Sequence, residues 1–342
     1  MSKKVSDPIA PWFIAVEALN EFIGMRFARI APGKSEPEWI FVRHADYDGI
    51  GAIKMMFGER GGTVELPQAK HPARPTWRSF FRLLKMHLWP RSRLTWKNLG
   101  QSAKLTDCSQ PPPAVAWHVF DEATTTRMRN VCRKADVTVN SFLLKNLTKT
   151  IRPYLEDLSP TVPWMIPVNL RGRVACERDT ANHTSYLSVK VRPSDSVQDI
   201  HQNIHAAMER EEHCANWFAY GLGKFTTHGM RKFLIAKELA TSQWNIGAFS
   251  NLGVWDPEKK ITQPECLGDW LVCPPVLRFQ LIGAGCLSFQ GKLTLTIQTH
   301  PELTTDPAIP KAWMRHWVEH IEQELSGGLV KPVTVSGQRT AI

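Results

Sequence analysis

No apolar run in this 342-residue sequence approaches the roughly 18–20 residues that a membrane-spanning helix needs. The N-terminal MSKKVSDPIAPW carries positive charge, but the FIAVEALNEFIG that follows holds two glutamates and an asparagine, poor material for a signal-peptide core. A cytoplasmic protein is expected, with peripheral contact at the inner membrane as a further option. Seven scattered cysteines (Cys108, Cys132, Cys176, Cys214, Cys266, Cys273, Cys286), odd in number and never spaced C-x-x-C, argue against a disulfide framework or a zinc site. Cys132 falls in a helical pattern and reads as a buried free thiol. No H-E-x-x-H is present: His201/His205 and His316/His320 have i,i+4 spacing but lack the acidic neighbour, so no metal is expected. The G-x-S-x-G of a serine-nucleophile elbow is missing too, which disfavours hydrolysis. There is no internal repeat or low-complexity tract.

What is present is ordinary globular material, 43% hydrophobic and 22% charged, with four tyrosines against thirteen tryptophans and fifteen phenylalanines as core filler. The length suits two lobes: 1–175 and 176–330, with a flexible tail at 331–342. The net charge of +10 is concentrated. Nine Lys/Arg and no acidic residue lie between Lys70 and Lys104, leaving 33 basic against 32 acidic residues elsewhere. Within that segment Arg74, Arg78, Arg82 and Lys85 recur at helical spacing, while Trp77, Phe80, Phe81, Leu84 and Leu88 fall on another side. Pro75 suits the first turn and Pro90 closes it. This face is either a solvated basic surface over a buried aromatic stripe or a docking site. Its ligand would be the phosphates of coenzyme A, an acidic carrier protein or an anionic membrane. Nucleic acid is set aside because no recognition motif accompanies the charge.

Hydrophobic periodicity predicts helices over 9–24, from Asp48 to near Gly58, and over 121–134, 139–154, 195–213, 226–240 and 309–325. Thr138 or Asn140 can cap the 139–154 helix, whose stripe is Phe142, Leu143, Leu147 and Ile151, and Asp195 marks the next start. Strands are predicted at EWIFV, AVAWHVF, PWMIPVNLRGR, SYLSVKV, QWNIGAFSNLGVW, VLRFQLIGAGCLSFQ and KLTLTIQT. The mixture predicts α/β (α+β) layers in two lobes.

The stretch FVRHADYDGIG (41–51) follows an apolar strand with a histidine, then an aspartate and glycine at a helix start. A neutral imidazole accepts a proton near neutral pH. Asp48 is spaced to fold back and brace the turn, Gly49 lets the chain bend, and Asp46 is either a second partner for the histidine or a solvent-facing residue.

RHADYDG (43–49) resembles the H-H-x-x-x-D-G motif of the superfamily of chloramphenicol acetyltransferases, peptide-synthetase condensation domains and wax ester synthase/diacylglycerol acyltransferases. Three more elements follow in that family's order. VTVNSFLLKNL (137–147) resembles its T-x-N-D-x-x-L helix and PVNLRGR (167–173) its P-V-N-L-R strand end. AFSNLGVW (248–255) resembles its S-N strand, followed by GCLSFQGKLTLTI. Together they span residues 40–325. Arg43 replaces the first histidine and Ser141 the helix aspartate, and the family usually has more chain before the motif, so the first lobe is shortened.

The resemblance implies two lobes in a V with a tunnel at their interface. His44 would be the general base for an alcohol or amine acceptor attacking an acyl thioester, worth roughly 10²–10⁴-fold in rate. Asp48 would be structural and paired with Arg171, or else Arg173. Ser250, with Asn251 beside it, would donate to the oxyanion. No tightly bound cofactor is implied. The donor would be acyl-CoA or a phosphopantetheine-linked acyl carrier protein meeting Arg74, Arg78, Arg82 and Lys85, and the protein a monomer or homodimer. The alternative is a non-catalytic condensation-like module docking a carrier protein or membrane through 70–104.

Overall fold

The computed structural model describes residues 7–21, 23–69, 76, 77, 81, 94–104, 114–157, 161–241 and 245–327. Arg74, Arg78, Arg82 and Lys85 of the predicted basic helix lie outside the described residues, as does the 331–342 tail; of its aromatic stripe, Trp77 and Phe81 are described and are exposed, not buried.

The chain opens with α1 (Ala10–Glu17), which has a proline in its first turn. The Asp7 carboxylate accepts from Ile9 N (2.8 Å) and Ala10 N (3.1 Å) just before it. It is shorter than the predicted 9–24. Asn20 adopts φ 58°, which breaks the helical path, and the apolar residues beyond it build strand β1 (Gly24–Ile30) instead. β1 is the middle strand of a three-stranded antiparallel sheet, β2 (Glu38–Arg43), β1, β7 (Asp269–Cys273). Helix α2 (Gly49–Glu59) covers one face of this sheet: Ile50, Ile53, Met56 and Phe57 pack with Met25, Phe27, Val42, Trp270 and Val272.

The second sheet has six strands in the order β3 (Val115–Phe120), β9 (Lys292–Thr299), β8 (Ile282–Phe289), β6 (Gly247–Trp255), β4 (Val162–Asn169), β5 (Thr184–Val191). β4–β6 and β6–β8 are parallel and the other pairs antiparallel. Strands from both sides of residue 175 share this sheet, and that residue falls in the β4–β5 connection.

Helix α3 (Glu122–Lys134) is capped by Asp121, and α4 (Val139–Ile151) by Thr138 through Ser141 N. Phe142, Leu143, Leu147 and Ile151 of α4 are fully buried with Trp313, Trp317 and Ile321 of α8 (Ala308–Gly327) against Trp164, Phe249 and Ile297 of the sheet. The predicted 195–213 helix is instead two. A capping box on Ser196 rather than Asp195 starts α5 (Val197–Glu209); Glu211 then takes φ 57°, and α6 (Glu212–Leu222) begins. α7 (His228–Thr241) packs Ile235 against Ala15 and Val16 of α1.

The two sheets are joined through backbone carbonyls of β7 and the residues just after it. Thr294 Oγ1 donates to Trp270 O (2.7 Å), Thr296 Oγ1 to Val272 O, and Gln298 Nε2 to Pro274 O. A Cβ at Gly285 would lie 2.0 Å from Val272 O, and one at Gly283 2.5 Å from Pro274 O. Alternate residues of β8 and β9 are thus glycine or hydrogen-bond donors because another strand's carbonyl edge rests on them. This fixes the sheet that carries His44 against the sheet that carries Ser250.

Candidate active site

The β2–α2 connection begins at His44, whose backbone N donates to Ile23 O (3.1 Å) while Asp46 N and Tyr47 N turn back to Arg43 O. The imidazole Nδ1 lies 2.9 Å from Tyr47 O. A carbonyl only accepts, so Nδ1 carries the hydrogen and Nε2 holds the basic lone pair. The ring is half-buried, with the Phe13 ring 4.5 Å away. Burial pushes its pKa below the usual histidine value, against the opposing pull of the Tyr47 carbonyl and the Asp48 charge. The imidazole is therefore neutral at neutral pH and able to accept a proton.

Asp48 is wholly buried and is the N-cap of α2, its Oδ1 accepting from Gly51 N at 2.8 Å. The same Oδ1 accepts from Arg171 Nη2 (2.5 Å), while Oδ2 accepts from His183 N and Thr184 Oγ1, both at 2.9 Å. Arg171, 2% exposed, also donates to Asp179 O (3.0 Å) and Ala181 O (3.1 Å). Arg173 turns away and donates to Ala69 O (3.2 Å). The aspartate faces this bracing set.

Gly49 and Gly51 are fixed by what they touch. A Cβ at Gly49 would lie 2.8 Å from Leu252 of β6, and one at Gly51 2.0 Å from Thr180 O. The first contact seats the His44 loop on β6. Strand alternation puts Ser250, 6% exposed, on the same side of β6 as Leu252, with Asn251 on the exposed side. Asn251 Oδ1 accepts from Gly253 N (2.9 Å), shaping the bulge where β6 shifts register against β8.

Four participants were missed in the sequence. Asn182 Nδ2 donates to His44 O (2.8 Å), holding the loop from below; His183 and Thr184 complete the Asp48 cage, and Phe13 flanks the imidazole. Asn182, His183 and Thr184 sit in NHT, an ordinary turn composition. Only their place a few residues after PVNLRGR could have drawn attention to them.

An open depression of about 540 Å³ lies beside Arg171, lined also by Lys54, Leu66, Gln68, Asp179 and His183. A second, of about 310 Å³, lies between β4 and α5, with Ile166, Val168, Ile204 and Met208 in its wall. His44 lines neither. Among the described residues, no helix is long and apolar enough to cross a membrane.

The sequence matches no protein-family model and no curated protein. Among solved structures, the chain is similar to trichothecene 15-O-acetyltransferase from Fusarium sporotrichioides, at TM-score 0.57 and 13% identity, over 89% of this chain and 71% of that one. It is similar to the condensation domain of the Monacolin K polyketide synthase at TM-score 0.52 and 12% identity, over 87% and 72%. A nonribosomal peptide synthetase matches at TM-score 0.54 and 11% identity, over 84% of this chain and 31% of the synthetase. The chain therefore has the fold of this condensation domain and this acetyltransferase.

Proposed function

We propose that this protein is an acyltransferase that moves an acyl group from a thioester to an alcohol or amine, with His44 as general base. The observation that carries the reading is the state of the imidazole. Its Nδ1–H is held by Tyr47 O, its Nε2 lone pair is kept, and burial disfavours the charged form.

In the proposed reaction Nε2 takes the proton of the acceptor hydroxyl or amine as its oxygen or nitrogen attacks the thioester carbonyl carbon. The tetrahedral oxyanion accepts a hydrogen bond from the Ser250 hydroxyl. Collapse breaks the carbon–sulfur bond, and the imidazolium proton passes to the departing thiolate. Asp48 touches none of the reacting atoms; together with Arg171 it fixes the turn that aims His44. The donor is acyl-CoA or an acyl carrier protein, and the likeness to a polyketide synthase condensation domain and to a nonribosomal peptide synthetase supports the carrier route.

The test is mass spectrometry of the products formed when a panel of acyl thioesters is incubated with small alcohols and amines, using the wild type and His44→Ala. New esters or amides with the wild type, reduced roughly 10²–10⁴-fold in the variant, are expected. Undiminished transfer by His44→Ala would remove the histidine from the mechanism. One observation favours a non-catalytic docking module as the second reading: Phe13 covers one side of the imidazole, and neither depression opens onto it. Absence of any product across the panel is the outcome that reading expects.

A further inference from the structure

The turn between α6 and α7 and the first two turns of α7 carry a group of large apolar side chains that the proposed chemistry does not use. Phe225 is 76% exposed, Phe233 69%, Met230 53%, Leu234 42% and Leu222 39%. Met230, Phe233 and Leu234 share one face of α7 by their i, i+3, i+4 spacing. Ile235 and Leu239 on the opposite face pack with Ala15 and Val16 of α1, so the exposed group is not surplus core.

This surface is rigidly presented. Arg231 donates from Nε to Thr226 Oγ1 (3.0 Å) and from Nη2 to Gly223 O (3.2 Å) and Thr226 O (2.7 Å), fixing the 3₁₀ turn with Phe225 to α7. Trp12 Nε1 donates to Tyr220 O (3.1 Å), and a Cβ at Gly223 would lie 2.3 Å from that nitrogen, so α1 grips the same turn.

Charge identifies the occupant. Between Leu222 and Leu239 the sequence has Lys224, Arg231, Lys232 and Lys237 against the single carboxylate of Glu238. The Lys224 ammonium lies 4.9 Å from the Phe225 ring centroid, so cation and aromatic ring share the tip. A second copy of the chain would bring this same basic rim against itself across a twofold axis, where like charges repel. Side chains that keep 69–76% of their surface exposed stand proud of their neighbours and leave a protein partner no groove to fill. Aromatic rings projecting beside a lysine ammonium suit the headgroup–acyl boundary of an anionic bilayer.

We infer that the α6–α7 tip is a peripheral membrane-docking surface for anionic lipid, with Phe225 and Phe233 entering the bilayer and Lys224 meeting the headgroups. The inference does not depend on the acyltransferase reading.

The test is co-sedimentation of the full chain with phosphatidylcholine vesicles made with and without phosphatidylglycerol, at low and high salt. Wild type is expected to bind the anionic vesicles and to be released by salt. The double variant Phe225→Ser/Phe233→Ser should lose at least about tenfold in partitioning. Lys224→Glu should lose about fivefold or more. Both variants change exposed positions and should keep the wild-type melting temperature and circular dichroism, so a loss of binding is not a loss of fold. Equal partitioning of wild type and the double phenylalanine variant would overturn the inference. So would wild-type binding no stronger with phosphatidylglycerol than without it. A wild-type dimer that the phenylalanine variant converts to monomer in light scattering would also overturn it, by assigning the surface to a second copy.

Discussion

Arg171 Nη2 meets Asp48 Oδ1 at 2.5 Å, joining residues 123 apart in sequence at a point closed to solvent. The pair holds the connection after β4 to the first turn of α2, and so determines where the His44 loop lies. Asp48→Ala removes the acceptor of four hydrogen bonds and leaves the guanidinium buried without a counter-charge. It should cost about 3–5 kcal/mol in chemical denaturation. The double variant Asp48→Ala/Arg171→Met should recover part of that loss, because no charge is then left unpaired. A single variant as stable as wild type would show that the pair does not brace the loop.

Two glycines of α2 should respond oppositely to alanine. At Gly51 the added methyl would meet Thr180 O at 2.0 Å, and backbone must move; a loss of about 1–3 kcal/mol is expected. At Gly58 nothing lies within 4 Å, and alanine should stabilise the helix by roughly 0.5–1 kcal/mol. Denaturant midpoints of the two variants check both signs.

The histidine sets a pH dependence. Its folded pKa lies below the unfolded reference of about 6.5, so between those two values the unfolded chain binds more protons. Its contribution to stability is complete above about pH 6.5 and is lost as pH falls through the folded pKa. His44→Gln should therefore flatten part of the decline in stability measured between about pH 7 and pH 5. The acid limb of any transfer activity should fall below about pH 6.5.

Arg26 of β1 is 7% exposed, its Nε and Nη2 are buried without partners, and burial draws its pKa down to about 10. Replacing this uncompensated charge with an apolar chain of similar length, Arg26→Met, should raise stability by at least about 1 kcal/mol. Lower stability in the same denaturation measurement would show that the guanidinium holds an anion in solution.

The parts of this molecule legible in the sequence share a physical character. The Phe142, Leu143, Leu147 and Ile151 stripe, the Thr138 cap and the Asp48 turn depend on local spacing or on residues a few positions apart. Arg171 was reachable through its strand end, PVNLRGR. What escaped depends on distant chain. β1 and β7 are short and exist because they pair with each other across most of the sequence. The break between α5 and α6 rests on one left-handed glutamate, Glu211, which no composition rule singles out. Thr294, Thr296 and Gln298 alternate with apolar residues as in a half-exposed strand, yet all are buried, because the carbonyl edge of another sheet covers them. The Asn182–Thr184 cage is invisible until Asp48 is placed beside it.

The pairing of β3 with β9, from Val115–Gln298 to Phe120–Leu293, has a consequence for biogenesis. Among the described residues β3 sits at the edge of its sheet and bonds no other strand. At a translation speed of about 5–20 residues per second, the intervening chain takes on the order of ten seconds or more to leave the ribosome. Until then the unpaired backbone and aromatic side chains of β3 are open to misassociation, and nascent chains stalled before β9 should be strong clients for chaperones.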